Sequence, residues 1–331
     1  MSSARAAGRV AQASRRPFFT ALQLLVPCLS PHARQGKEGA PAATASGPRE
    51  ITLAVTVTDA KARYLSGLNK EQFTILDGGT PRDITSFNSL GEAASVGVLF
   101  DISSSMRDGQ QNLLEAMRRA FARFAQQGSS QNEYFLRAFH KESFELTGWT
   151  RDARALREAL GKIAPDAVPK KGSAGTALYD ACAAALKKLA GGSLRKRVLL
   201  VLTDGGPDNS SREVEFKNLK RMARDSGALI YSIAFVDRSS PAFLDRQAQT
   251  ELDELTATSG GRAFFPDSLA ELYEIADRVA VELSQQYMIG FVPADAAKKG
   301  ELNKLKVKVQ TPPNIKTSLH VRHREGYFTP G

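Results

Sequence analysis

Ser95-Val96-Gly97-Val98-Leu99-Phe100-Asp101-Ile102-Ser103-Ser104-Ser105 is the stretch whose reading decides the fold. An apolar run stops at an acid, and three oxygen-bearing side chains, Asp101, Ser103 and Ser105, stand at alternate positions from there on. The run is expected to be a buried strand, and in open α/β sheets ligands sit outside the carboxyl ends of such strands. Carboxylate and hydroxyl oxygens are hard donors suited to Mg²⁺, which binds few carboxylates and keeps several waters. Two further segments match this one. Val198-Leu199-Leu200-Val201-Leu202 is a second apolar run, closed by Thr203-Asp204-Gly205-Gly206. Gly172-Ser173-Ala174-Gly175-Thr176 is a small-residue loop that runs into an amphipathic stretch over 177–190. Asp101, Ser103, Ser105, Thr176 and Asp204 can then meet at one sheet edge. Helix capping is the plain alternative for an Asp and its neighbouring serines, but capping accounts for neither Thr176 nor Asp204.

From residue 95 onward strands alternate with helices, the signature of a largely parallel sheet covered on both faces. Strands are expected at 95–101, 133–140, 197–203, 229–236 and 262–265. Helices are expected at 110–127, 151–163, 176–190, 212–226, 242–259 and 268–285. Ser210-x-x-Glu213 reads as a capping box, and Gly227 and Gly260-Gly261 read as helix stops. On either side the period falls to two. Ile51-Thr52-Leu53-Ala54-Val55-Thr56-Val57-Thr58 alternates as a strand with one buried face. Phe73-Thr74-Ile75-Leu76 and Ile84-Thr85-Ser86-Phe87 follow it, joined through a turn at Asp77-Gly78-Gly79-Thr80-Pro81. Beyond residue 285, Gln286 to Phe291, Leu305 to Val309 and Ser318 to Arg322 are strands again, and Arg324 to Phe328 closes the chain. Neither flank alone holds enough core to be stable, so the two are expected to pack together as one sandwich.

The ordered set D-x-S-x-S, a distant Thr and a distant T-D-G resembles the metal-ion-dependent adhesion site of the von Willebrand factor A domain family. V-T-V-T-D, F-T-I-L-D-G, D-I-S-S-S-M, G-T-A-L-Y-D-A, L-T-D-G-x-x-D and a final G-Y-F extend the likeness from about residue 48 to the end, to the von Willebrand factor A-related domain proteins described from Acidobacteria. The resemblance implies a doubly wound, mainly parallel α/β domain inserted in a small all-β sandwich formed by the flanking segments. The expected division is a leader over 1–33, a flexible linker over 34–47, sandwich segments over 48–92 and 286–331, and the α/β domain over 93–285. The resemblance also assigns roles. Asp101 anchors the cation, Ser103 and Ser105 donate hydroxyl oxygens, Thr176 binds when the site is engaged, and Asp204 acts mostly through water. The cation is Mg²⁺, or Mn²⁺ or Ca²⁺, and an acidic side chain of a protein partner fills the open position. No catalytic activity is implied.

Other chemistry finds little support. The chain lacks a G-x-G-x-x-G after a strand, a Walker loop and a G-x-S-x-G elbow. A metal-dependent hydrolase using the same cluster is the first alternative, and it requires a general base that does not stand out. An intracellular scaffold for an ATPase complex is the second. His32 falls in the leader, His140 ends a strand near the metal edge, and His320 and His323 stand on opposite faces of a strand. Trp149 is expected in a loop after the second strand, packed beneath it. Cys182 reads as a small buried thiol, not a nucleophile. Asp108, Asp180 and Asp208 lie near the site segments and read as first-turn or solvated acids. Lys304, Lys306 and Lys308 line one face of a strand, a solvated face that also guards an edge.

Apolar content of 42% and charged content of 24% are those of an ordinary globular protein, and 331 residues allow about two domains. The net charge is +10, of which Arg5, Arg9, Arg15 and Arg16 carry four in an acid-free leader, leaving a mild excess of +6. That excess is spread along the chain and gives little reason to expect nucleic-acid binding. Ser14-Arg15-Arg16-Pro17-Phe18-Phe19 resembles the twin-arginine export motif, and Phe18 to Leu29 is too short to span a bilayer. The Arg- and Ser-rich composition is shared with mitochondrial presequences. Pro27 before Cys28 argues against lipidation. The expectation is an exported protein, periplasmic or extracellular, with no transmembrane segment.

Overall fold

The computed structural model describes residues 50–89, 91–103, 106, 113–163, 176–204, 214–235, 246–293, 300–313 and 315–328. The alternating amino-terminal segments form β1 (Ile51–Asp59), β2 (Phe73–Asp77), β3 (Thr80–Arg82) and β4 (Ile84–Asn88). Gly78 and Gly79 carry φ of 58° and 90°, so the turn between β2 and β3 is these two glycines alone. Thr80 and Pro81, expected in the turn, already belong to the strand.

The α/β part follows as β5 (Ala94–Asp101), α1 (Leu113–Gln127), β6 (Glu133–Phe139), β7 (Ser143–Thr150), α2 (Ala153–Gly161), α3 (Leu178–Leu189) and β8 (Lys196–Thr203). It continues with α4 (Phe216–Ser226), β9 (Leu229–Ala234), α5 (Arg246–Ser259), β10 (Arg262–Phe264) and α6 (Leu269–Ser284). Its six strands run β10-β9-β8-β5-β6-β7, parallel throughout except for β7 against β6. Alternate residues of the central strands face opposite layers. Val96, Val98 and Phe100 of β5 pack with α1 and α6, whereas Leu99, with Leu199 and Val201 of β8, packs with α3, α4 and α5. The apolar runs read from the sequence are apolar because both faces are covered. Gly227 and Gly260 end α4 and α5 with φ of 64° and 85°, as their reading as helix stops requires. Ser210 and Glu213 lie outside the described residues.

Gly97 of β5 stands in register with Phe135 of the neighbouring strand β6, whose ring lies over it. A Cβ there would stand 2.4 Å from Cζ of Phe135. The Phe135 ring is held edge-on by Trp149, 4.7 Å between centroids at 89°, with Lys188 Nζ 5.1 Å from its centre. It has nowhere to retreat. Gly97→Ala is therefore expected to cost roughly 1–3 kcal/mol of stability through overpacking. Urea unfolding checks this, and an unshifted midpoint would show that the ring moves freely.

The carboxyl-terminal strands are β11 (Tyr287–Phe291), β12 (Leu302–Val309), β13 (Leu319–Arg322) and β14 (Gly326–Phe328). They interleave with those of the other flank in two four-stranded sheets, β13-β1-β11-β4 and β14-β12-β2-β3. One apolar cluster joins the sheets, with Leu53, Val55 and Val57 meeting Phe73, Ile75, Tyr287, Ile289, Leu305 and Val307. Each flank supplies half of every sheet, so neither has a core without the other. The α/β part is inserted between them with its ends adjacent, since Gly91 N–H donates to the Ser284 carbonyl at 3.1 Å. Lys304, Lys306 and Lys308 are exposed, as expected of a solvated face. They do not guard an edge, because β12 lies inside its sheet between β14 and β2. Among the described residues no helix is long and apolar enough to cross a membrane.

Candidate functional site at the carboxyl edge of the central sheet

β5 and β8 are parallel neighbours with Phe100 opposite Leu202, so the next residues, Asp101 and Thr203, face one another as both strands end. Asp101 is fully buried. Its Oδ1 accepts from the Ser103 backbone N–H at 2.8 Å, an Asx-type turn that starts the loop. Its Oδ2 accepts from the Thr203 hydroxyl at 2.5 Å. The chain stays pinned beyond the strand, because Ile102 N–H donates to the Phe139 carbonyl of β6 at 2.8 Å. Met106 N–H then closes a turn on the Ser103 carbonyl at 3.1 Å. The carboxylate is thus fixed by the backbone of one strand and a side chain of the next.

Burial pushes the Asp101 carboxyl above its ordinary range, while the hydrogen bonds from Thr203 and Ser103 and the positive field of His140 pull the other way. Among the described residues no lysine or arginine pairs with it. A desolvated carboxylate without a cation beside it is costly, and a hard divalent ion is the partner that its oxygens fit.

The remaining donors approach from the flanking strands. Thr176 is buried, and the next residue, Ala177, donates its N–H to the His140 carbonyl at 2.7 Å. His140 directly follows Phe139, which pairs with Asp101 across β5 and β6. Thr176 is therefore tied one strand away from Asp101. Asp204 is half-buried and follows Thr203 at the end of β8. Ser103 is buried. Ser105 lies outside the described residues, as do the loop Gly172–Gly175, Asp108 and Asp208. Asp180 sits in the first turn of α3, the position expected of a helix acid. Among the described residues no group of three or more His, Cys, Asp and Glu side chains is placed to hold a metal. A cation here would depend on the hydroxyls of Ser103, Ser105 and Thr176 beside two carboxylates, which suits Mg²⁺ better than a soft metal.

Two participants carry no weight in the sequence alone. Thr203 was visible only as the first letter of T-D-G, and its hydroxyl reaches Asp101 because the two strands are in register. His140 is expected only to end a strand near the metal edge. It is half-buried, with its carbonyl holding the Thr176 segment, its Nδ1 accepting from Lys141 N–H at 2.6 Å and its field felt by Asp101. Trp149 belongs to β7 and not to a loop, and packs on Phe135. Cys182 is fully buried in α3, where burial pushes its thiol up to about 12, so it is no nucleophile at neutral pH.

Residues 96–207 match the family model of the von Willebrand factor type A domain. That span begins in β5 and ends just past Asp204, and so includes all five expected ligands. No curated protein matches the chain. Solved structures similar to it include a von Willebrand factor type A protein from Catenulispora acidiphila, at 11% identity over 85% of this chain and 75% of that one, with a TM-score of 0.49. Another is the conserved hypothetical protein BatB from Bacteroides thetaiotaomicron, at 19% identity over 57% of this chain and 98% of that one, with a TM-score of 0.45. A third is the vWF domain of the type V pili tip protein Mfa5 from Porphyromonas gingivalis, at 13% identity over 59% of this chain and 97% of that one, with a TM-score of 0.42. At such scores these likenesses carry no argument, and the family model speaks for residues 96–207.

Proposed function

We propose that this chain, which carries a von Willebrand factor type A domain over residues 96–207, is an exported, non-enzymatic binding protein that engages an acidic group of a protein partner. Asp101, Ser103, Ser105, Thr176 and Asp204 would hold a divalent cation, Mg²⁺ in the first place. The bound cation would offer an open position to an incoming carboxylate. The observation that carries this reading is the Asp101 carboxylate, fully buried and fixed by Ser103 and Thr203, with no lysine or arginine pairing with it among the described residues.

The work of the chain is to preorganise. Thr203 and the Ser103 amide hold both oxygens of Asp101 before any ion arrives, so little is lost to ordering when one binds. The His140 carbonyl fixes the backbone beside Thr176, which keeps that hydroxyl close to the edge. The sandwich of 48–92 and 286–331 serves as the carrier and 93–285 as the binding domain. Export rests on the leader, with its Arg15-Arg16 pair and short apolar stretch.

Calorimetry with Mg²⁺ and Mn²⁺ tests the site. Asp101→Ala is expected to lose detectable metal binding. Asp204→Ala is expected to weaken it less, and Thr176→Ala to keep much of it while impairing capture of the partner in a Mg²⁺-dependent pull-down. Metal binding by Asp101→Ala equal to that of the wild type would sink the assignment and return these residues to structural roles.

A further inference from the structure

On the opposite side of the molecule from β5's carboxyl end, β1, β13, the start of β10 and the outer face of α6 enclose a cleft of about 470 Å³. That volume falls in the range of small-molecule sites. Arg262, Arg278, Arg322, His320, Tyr64 and Glu282 stand around it. Three guanidinium groups thus face a single carboxylate. Glu282 is already engaged: it is buried, Arg322 forms an ion pair with it, and the hydroxyls of Tyr231 and Tyr64 donate to it. Arg322 is held further by its Nε donating to the Gly260 carbonyl at 3.1 Å.

Arg262 and Arg278 are left over. Both are exposed, and among the described residues neither has an ion-pair partner. Arg262 is not a loose surface chain, since its guanidinium lies 5.9 Å from the centre of the Phe264 ring two residues on. Asp253 feels the field of Arg262 without forming an ion pair with it. The cleft therefore presents two cationic forks, neither in an ion pair among the described residues, over a floor whose charge is balanced by Arg322 and Glu282. An arginine fork matches carboxylate and phosphate oxygens in bidentate geometry.

We infer that this cleft is a binding site for a small molecule carrying two anionic oxygen groups, phosphate or carboxylate. One group meets Arg262 and the other Arg278. The site is independent of the proposed metal site, and its test is arranged to keep the two apart.

The test is titration of protein freed of metal by chelation and desalting, with inorganic pyrophosphate, succinate and acetate in separate arms. Pyrophosphate or succinate is expected to bind saturably, and whichever binds tighter names the ligand class. Acetate, with one group, is expected to bind at least about tenfold more weakly, and the Arg262→Gln/Arg278→Gln double variant to lose at least about tenfold of the dianion affinity. Both arginines are exposed, so the variant is expected to unfold at the wild-type temperature. Lys304→Gln/Lys306→Gln/Lys308→Gln removes positive charge elsewhere, and Asp101→Ala disables the metal site; both should bind like the wild type. Absence of saturable binding by both dianions would overturn the inference. So would acetate binding as tightly as they do, or equal weakening in the lysine variant, which would reduce the effect to overall charge.

Discussion

Asp101→Asn is expected to make the metal-free protein more stable at neutral pH, by roughly 1–3 kcal/mol, because it removes a buried charge and almost nothing else. The amide keeps the volume of the carboxylate. Its oxygen can accept from the Ser103 N–H, and its NH₂ can donate to the Thr203 hydroxyl, which accepts as readily as it donates. The hydrogen bonds with Thr203 and the Ser103 amide survive, the oxygen can also accept from the Ser103 hydroxyl, and the charge is gone. The pH dependence follows with its sign. Burial holds the Asp101 carboxyl above its unfolded range, so the folded protein binds the proton more tightly than the unfolded one. The stability this contributes is complete below the unfolded value and is lost as pH rises through the folded one. The gap between variant and wild type should therefore open as pH rises through that interval and close below it. Mg²⁺ should close or reverse that gap at neutral pH. At a hundredfold excess over its Kd it would add about 2.7 kcal/mol to the wild type alone. Urea unfolding with and without Mg²⁺ measures all of this. A variant less stable than the wild type in chelator would mean that the carboxylate is already compensated, and the reason to expect a cation would go.

The strands at the centre of the sheet were legible because burial on both faces leaves a continuous apolar run, and β5 and β8 are such runs. The sandwich was legible by elimination, since each flank alternates polar and apolar residues and neither can close a core. β7 escaped notice for the converse reason. Ser143–Thr150 is an antiparallel edge strand with only Leu146 buried, and its pairing to β6 slips twice, so it shows no clean period. α4 begins at Phe216, several residues later than the capping signal suggested. At the site, Asp101 and Asp204 announce themselves as acids ending apolar runs. Thr203 cannot, because a Thr at a strand end is unremarkable until the neighbouring strand's register puts a carboxylate across from it. The buried charges were the least legible part. Lys196 falls just outside the strand expected over 197–203, and Arg324 opens the segment that closes the chain, so neither announces itself as a buried charge. Both are buried where the α/β part meets the sandwich, a junction made by segments far apart in sequence.

That junction yields the second large expectation. Lys196 is fully buried, and its ammonium donates to the Leu283 carbonyl at the end of α6. Burial lowers its pKa from an ordinary 10.5 to about 7, against the fields of Glu92 and Glu282, which hold it up. Between those two values the unfolded chain carries a proton that the folded one has released. By linkage, stability then rises with pH from about 7 towards 10.5, and below about 7 the folded state bears the whole cost of a buried ammonium. Lys196→Met keeps the length of the chain and removes the titration. It also leaves the Leu283 carbonyl without its donor, a loss of about 1–3 kcal/mol that does not vary with pH. Measured against the wild type at each pH, the variant should be the less stable protein near pH 10. It should gain on the wild type by on the order of 4 kcal/mol as pH falls to 6. Urea unfolding of both proteins across that range gives the difference directly, with every other titrating group cancelling. Parallel curves would show that Glu92 and Glu282 keep the ammonium charged in the folded state. The junction would then be held by ion pairing and not by a neutral amine on a carbonyl.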